Sequence, residues 1–304
     1  MLLYGHYSVT EKRDINSNKK SIRAIIAQGN IDQSLKWDKE LQDNTVKIYK
    51  NLSEKATGFR PQIIIWPETA FPWFFQEPSY LSDEVYQIAK KLDSYILFGS
   101  PAYKKTKDAI LYFNRAYLIS EDKIVDYYDK VHLVPFGEYV PLGRYLPFVH
   151  RLVQTAGDFS SGKEIKPVRA PEFRTGILIC FESIFPDISR KLASEGAELL
   201  VNLTNDAWYG RTSAPYQHLS MAVFRCIENG LPMARAANTG ISAFILPDGS
   251  VIKKSGIFTE EILQHEITLK DGKTFYSHFG DIFAILLTVI VFIKLFWKLA
   301  IVRR

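Results

Sequence analysis

The chain has 304 residues, 47% of them hydrophobic and 23% charged, with a formal net charge of +5. That is ample for one large core with an appendage, and it excludes a disordered chain and one wholly embedded in lipid. The positive charge suits an anionic surface such as phospholipid headgroups; no basic run with interleaved aromatics marks a nucleic-acid module, so no nucleic-acid partner is expected.

The first residues, Met1 to Val9, are mildly apolar but lack the basic start and cleavage site of a signal peptide. Residues 11–20 read as a polar linker. Residues 22–28 (IRAIIAQ) form a short apolar strand, 39–56 have helical spacing, and 62–66 (QIIIW) form a buried strand halted by Pro67. An amphipathic helix is expected over 79–92, then a strand over 95–98 ending at Gly99. Residues 115–119 and 123–129 alternate as paired strands around a polar turn. From 134 to 166 the chain is rich in Pro, Gly and aromatics and reads as a long loop, a kind of segment that often carries function.

A strand over 175–180 precedes a helix over about 187–194. Another strand, 199–204, leads into the 205–210 loop and a helix over about 215–229. Residues 235–246 and 250–254 flank Pro247-Asp248-Gly249, a hairpin signal. Strands alternating with helices, followed by a late hairpin, predict an α/β arrangement of packed layers.

The C-terminus is different. Ile282 to Ile293 is an unbroken run without formal charge, and apolar character continues to Val302 past Lys294 and Lys298. With those lysines snorkelling, roughly 20 residues reach across a bilayer, so a transmembrane helix is expected over 280–302. The alternative is an amphipathic helix on the domain or the interface. Arg303 and Arg304 then put the C-terminus in the cytoplasm and the globular domain outside it.

Three segments carry candidate chemistry. In Ile65-Trp66-Pro67-Glu68-Thr69, Glu68 directly follows a buried strand and a proline. Partial desolvation there raises a carboxyl pKa and suits a general base; the alternative is an ordinary helix-start or loop carboxylate. Lys130 ends a strand, and Glu138 follows in a rigid Pro/Gly segment. A buried ammonium stabilises an oxyanion, whereas a strand-end lysine is often merely solvated. His132 has no companion at metal-ligand spacing and reads as structural. In Ile177-Leu178-Ile179-Cys180-Phe181-Glu182 an apolar strand delivers Cys180 at its end, where backbone N–H groups and a cation favour a thiolate. Glu182 stands ready to orient its neighbours. The two cysteines, Cys180 and Cys226, are too few for a disulfide scaffold or a thiolate metal site, and no metal is expected.

In the order Glu, Lys, Cys, these segments resemble the nitrilase, or carbon–nitrogen hydrolase, superfamily over residues 22 to about 275. The resemblance implies an α-β-β-α sandwich with Glu68 as general base, Lys130 as the oxyanion lysine and Cys180 as the nucleophile, and no cofactor. Three further stretches resemble its apolipoprotein N-acyltransferase family: Gly29-Asn30-Ile31 with Lys36-Trp37-Asp38, the segment 132–141 (HLVPFGEYVP), and Asn205-Asp206-Ala207-Trp208-Tyr209-Gly210. That resemblance implies supporting or substrate-binding roles for Trp37, Glu138, Glu182 and Trp208, the last otherwise a plain core or rim aromatic. Phe181 stands where the family commonly has Tyr.

The family places several transmembrane helices ahead of its catalytic domain, and here only Met1–Val9 matches their stub. The expected organisation is therefore a stub and linker (1–21), a nitrilase-like domain (22–276) and a C-terminal transmembrane helix (280–302). The expected reaction moves an acyl chain from a membrane phospholipid, through a Cys180 thioester, to the α-amino group of a lipoprotein's N-terminal diacylglyceryl-cysteine. Its setting is the outer face of the bacterial inner membrane, with a separate N-terminal transmembrane chain as a potential partner. The alternatives are a soluble nitrilase-type amidase and a non-catalytic fragment of the acyltransferase.

Overall fold

The computed structural model describes residues 20–32, 39–139, 141, 159–271 and 274–302. The expected stub over Met1–Val9, Trp37 and most of the 134–166 loop lie outside the described residues.

Two six-stranded sheets form the frame. The first has the order β12-β1-β2-β3-β4-β5, built from β1 (Ser21–Gln28), β2 (Ile63–Ile65), β3 (Tyr95–Lys105), β4 (Ile110–Ile119), β5 (Ile124–Asp129) and β12 (Glu261–Thr268). The second runs β11-β10-β9-β8-β7-β6, from β6 (Val168–Arg169), β7 (Arg174–Ile179), β8 (Leu199–Thr204), β9 (Met233–Ala237), β10 (Ala243–Ile245) and β11 (Val251–Lys254). The central trios β1-β2-β3 and β7-β8-β9 are parallel, so crossover helices cover their outer faces. These are α1 (Lys39–Glu54) and α2 (Tyr80–Leu92) on the first sheet, and α3 (Pro186–Ser194) and α4 (Ala214–Asn229) on the second.

Side-chain alternation divides the core into three layers. In β1, Ala24 and Ile26 face Ile177, Ile179, Val201 and Ala236 of the other sheet. Ile25 and Ala27 point the other way, toward Val46, Tyr49 and Leu52 of α1. Leu178 and Leu200 meet Leu192 of α3 and Ala222 of α4. The result is the α-β-β-α sandwich expected from the sequence.

Several local expectations need adjusting. β3 does not stop at Gly99 but continues to Lys105 along β4. A Cβ on Gly99 would come within 2.5 Å of the Thr69 backbone nitrogen and 2.8 Å of Glu68 Cα, so the glycine marks a close approach rather than a strand end. The expected 235–246 strand is two strands, β9 and β10, separated by a turn at Asn238–Ser242, while the 247–249 hairpin joins β10 to β11 as expected.

The C-terminal expectation is corrected. After a short helix α5 (Phe275–Phe279), helix α6 spans Ile282–Val302, and its described side chains, from Phe283 to Trp297, are exposed. Among the described residues no helix is long and apolar enough to cross a membrane. The charge-free run ends at Ile293, and Lys294 and Lys298 follow one turn apart. Such a run rises only about 18 Å, against roughly 30 Å of hydrocarbon. The orientation inferred from Arg303 and Arg304 falls with the transmembrane helix.

Candidate active site

The carboxyl ends of the parallel strands converge on one side of the sandwich, where α/β folds gather functional groups. Glu68 follows β2, Lys130 follows β5, Cys180 follows β7, and Asn205 and Asp206 follow β8. Thr69 and Cys180 both adopt left-handed backbone conformations, with φ of 50° and 52°. For non-glycine residues this conformation costs of order 1–3 kcal/mol and persists only when the surroundings impose it.

Lys130 is almost fully buried, at 1% exposure. Its Nζ donates to Glu138 Oε1 at 2.8 Å and lies 4.0 Å from Glu68 Oε1. Asn114, midway along β4, ties the two carboxylates together: its Nδ2 donates to Glu68 Oε1 at 2.8 Å and to Glu138 Oε1 at 3.0 Å. Glu68 Oε2 accepts the Asn205 backbone N–H at 3.0 Å, and Glu138 Oε2 accepts that of Val134 at 2.9 Å. A buried ammonium is expensive unless countercharges surround it. Burial depresses the Lys130 pKa, but Cys180, Glu68 and Glu138 more than reverse this and keep the ammonium charged.

Cys180 opens a 3₁₀ turn, Cys180–Ile184, and remains partly exposed. Burial and then the Glu68 charge push its thiol up to about 12, with Lys130 pulling the other way. The resting group is therefore a thiol. A base must therefore take the proton as attack occurs.

Glu182, fully buried, welds the segment after Lys130 to the cysteine strand. Its Oε1 accepts from Val131 N–H at 2.8 Å, His132 N–H at 3.0 Å and the Tyr128 hydroxyl at 3.0 Å; Oε2 accepts from Ile179 N–H at 2.8 Å. Burial raises its carboxyl to about 7, against the pull of those backbone donors.

The structure thus brings together Glu68, Lys130, Glu138, Cys180 and Glu182. Trp208 stands at the rim, 68% exposed, on the 3₁₀ turn Asp206–Tyr209, so it is not a core aromatic. The His132 ring packs against Phe185, centroids 3.7 Å apart and planes tilted by 37°, and burial and the nearby Lys130 charge lower its pKa.

Sequence reasoning missed several residues. Asn114 is hidden in an ordinary β4 pattern. Asp206, His218 and Arg235 form a buried polar cluster behind Cys180. Arg235 within the apolar β9 was the one available signal, because a fully buried guanidinium requires partners.

This architecture and cysteine site define a nitrilase-type sandwich. A carbon-nitrogen hydrolase family model matches residues 23–275, and the chain belongs to that family. It is homologous to apolipoprotein N-acyltransferases: 46% identical over 264 residues to that of Geobacter metallireducens, covering 86% of this chain and 51% of the relative. It is 34% identical over 287 residues to that of Rhodopseudomonas palustris, covering 89% and 53%. The chain spans about half the length of these curated relatives.

Solved structures share the fold. Nit3 of Saccharomyces cerevisiae, a member of branch 10 of the nitrilase superfamily, superposes with a TM-score of 0.64 at 17% identity, covering 86% of this chain and 95% of its own. A mutant of the amidase from Nesterenkonia sp. AN1, showing covalent addition of the acetamide moiety of fluoroacetamide at its active site cysteine, gives a TM-score of 0.61 at 18% identity, covering 83% and 92%.

Proposed function

We propose that the chain performs thiol-based acyl chemistry, with Cys180 as nucleophile, Glu68 as general base and Lys130 as oxyanion stabiliser. The supporting observation is the Lys130–Glu68 pair, 4.0 Å apart, with both charges bearing on the Cys180 thiol. Glu68 takes the thiol proton as sulfur attacks an acyl carbonyl. Lys130 and backbone N–H groups stabilise the tetrahedral oxyanion, and its collapse expels the leaving group with a proton returned by Glu68. An acyl thioester remains on Cys180. A second nucleophile, giving its proton to Glu68, then releases the acyl group and restores the thiol. Glu138 holds Lys130, and Glu182 holds the backbone on either side of the pair.

The acceptor decides the overall reaction. With water the chain is an amidase-type hydrolase. This coarser reading stands closer to the described geometry, because the shared fold includes an amidase and no described helix is long and apolar enough to cross a bilayer. With an amine acceptor it is an N-acyltransferase, the activity its curated relatives are named for; in the proposed reaction the acyl chain moves from a phospholipid, at the inner-membrane surface, to the α-amino group of a diacylglyceryl-cysteine lipoprotein. Trp208, 68% exposed, is the proposed lipid-side contact. A third reading is a fragment that folds without turning over.

Acceptor competition tests this. The enzyme is given a short-chain activated ester with and without a diacylglyceryl-cysteine peptide. N-acylated peptide in preference to free acid supports acyl transfer; free acid alone supports the hydrolase; neither product refutes both.

A further inference from the structure

Behind Cys180 lies a buried polar cluster that the proposed chemistry leaves without a role. Asp206, His218 and Arg235 are 1%, 4% and 0% exposed. Arg235 Nη2 donates to Asp206 Oδ2 at 2.8 Å, and Asp206 Oδ1 lies 3.0 Å from His218 Nδ1. His218 Nε2 lies 2.8 Å from Ser183 Oγ and 3.2 Å from the Cys180 carbonyl oxygen. The same oxygen accepts from Ser183 Oγ at 3.1 Å and from Asn202 Nδ2 at 3.3 Å. Asn202 is itself held by Arg235 Nη1. Thr204 Oγ1 donates to Asp206 Oδ1 at 3.0 Å. Gly240 leaves the room: a Cβ there would fall 2.2 Å from Asp206 Oδ2.

Three of these groups, His218, Ser183 and Asn202, reach the Cys180 carbonyl, and Asp206 and Arg235 hold two of them. Cys180 has φ of 52°, a conformation an L-residue does not keep unaided. The Cys180–Phe181 peptide is trans, so its C=O and N–H point in opposite directions. Pinning the carbonyl inward turns the Phe181 N–H away from the cluster. That N–H opens the 3₁₀ turn, where a backbone donor has no intrahelical acceptor.

We propose that Asp206, His218 and Arg235 are positioning residues that fix the Cys180–Phe181 peptide plane, aiming the Phe181 N–H at the oxyanion opposite Lys130. The proposal rests on the thioester chemistry above. It gives the buried cluster a kinetic role in acylation distinct from holding the fold. Burial and the neighbouring Arg235 lower the His218 pKa, so no net charge need be added beside the thiol.

Two reactions of Cys180 separate this role from a structural one. Acylation by a short-chain p-nitrophenyl ester passes through an oxyanion; alkylation by iodoacetamide does not. In the full chain, His218→Leu should lower acylation by about 100-fold, the scale of a lost oxyanion donor, with the loss in kcat rather than KM. Its alkylation rate should stay within about threefold of the parent. His218→Gln, whose amide again donates toward the carbonyl, should recover at least a tenth of the parent acylation rate. Ser183→Ala provides the same comparison with a smaller change, should His218→Leu fail to fold.

Acylation and alkylation falling together, or acylation left unchanged, would overturn the proposal. Failure of the unsubstituted chain to acylate at all, with alkylation intact, would instead remove the thioester reading and the proposal with it.

Discussion

The Glu182 carboxylate accepts the Val131 backbone N–H at 2.8 Å, joining the residue after Lys130 to the residue two places beyond Cys180. One buried side chain therefore sets the spacing between the proposed oxyanion cation and the proposed nucleophile. Replacing it by Gln turns an oxygen acceptor into an N–H donor facing other donors. Glu182→Gln should lower acylation at least about 100-fold while far-UV circular dichroism stays unchanged. Near-parental turnover would show that this tether is dispensable.

The same residue makes a pH prediction. Its folded pKa, raised to about 7, exceeds the ordinary carboxyl value, so the folded chain binds this proton more tightly than the unfolded chain. The stability it contributes is full below about pH 4.5 and is lost as pH rises through about 7, amounting to about 3 kcal/mol. Urea unfolding at pH 5 and pH 8 measures it. The parent should lose stability across that interval relative to Glu182→Gln; a relative gain would reverse the sign and contradict the assignment.

Asn114 bridges Glu68 and Glu138 above Lys130. Asn114→Leu keeps the volume and removes both donors, leaving two carboxylates less well held around one ammonium. A stability loss of about 2–3 kcal/mol is expected from unsatisfied buried acceptors. A loss of acylation larger than that of stability should accompany it, because Glu68 is no longer aimed. Denaturant midpoints and acylation rates, measured side by side, check both.

Much of this site was legible in the sequence, and the limits have physical causes. Glu68 and Cys180 announce themselves because apolar strands end abruptly at them. Asn114 gives no such sign; its position in β4 differs from its neighbours only in what lies across the layer. β12 was missed because its side chains are mostly half-exposed, so EILQHEIT lacks a buried face to read. The 238–242 turn hid within an apolar stretch because Asn238 and Ser242 are buried by hydrogen bonds rather than by hydrophobicity. The C-terminal run was legible as a helix, but a helical apolar stretch is not by itself a membrane span, and among the described residues no helix is long and apolar enough to cross one.

The raised thiol pKa has a kinetic consequence. With the Cys180 thiol near 12, only a small fraction is thiolate at neutral pH. Iodoacetamide alkylation should rise about tenfold per pH unit from pH 7 to pH 9, without the plateau expected near 8.5 for an ordinary thiol. A plateau below pH 8 would mean the resting group is already a thiolate and needs no base.

The central claim is that Cys180 carries the acyl group. The chain is incubated with a labelled short-chain ester, digested under mild acid, and the adduct located by tandem mass spectrometry. The label should sit on Cys180, be released by neutral hydroxylamine, vanish in Cys180→Ala and persist in Cys226→Ala, whose thiol is buried within α4. Label retained by Cys180→Ala, or found on another residue, would contradict the account.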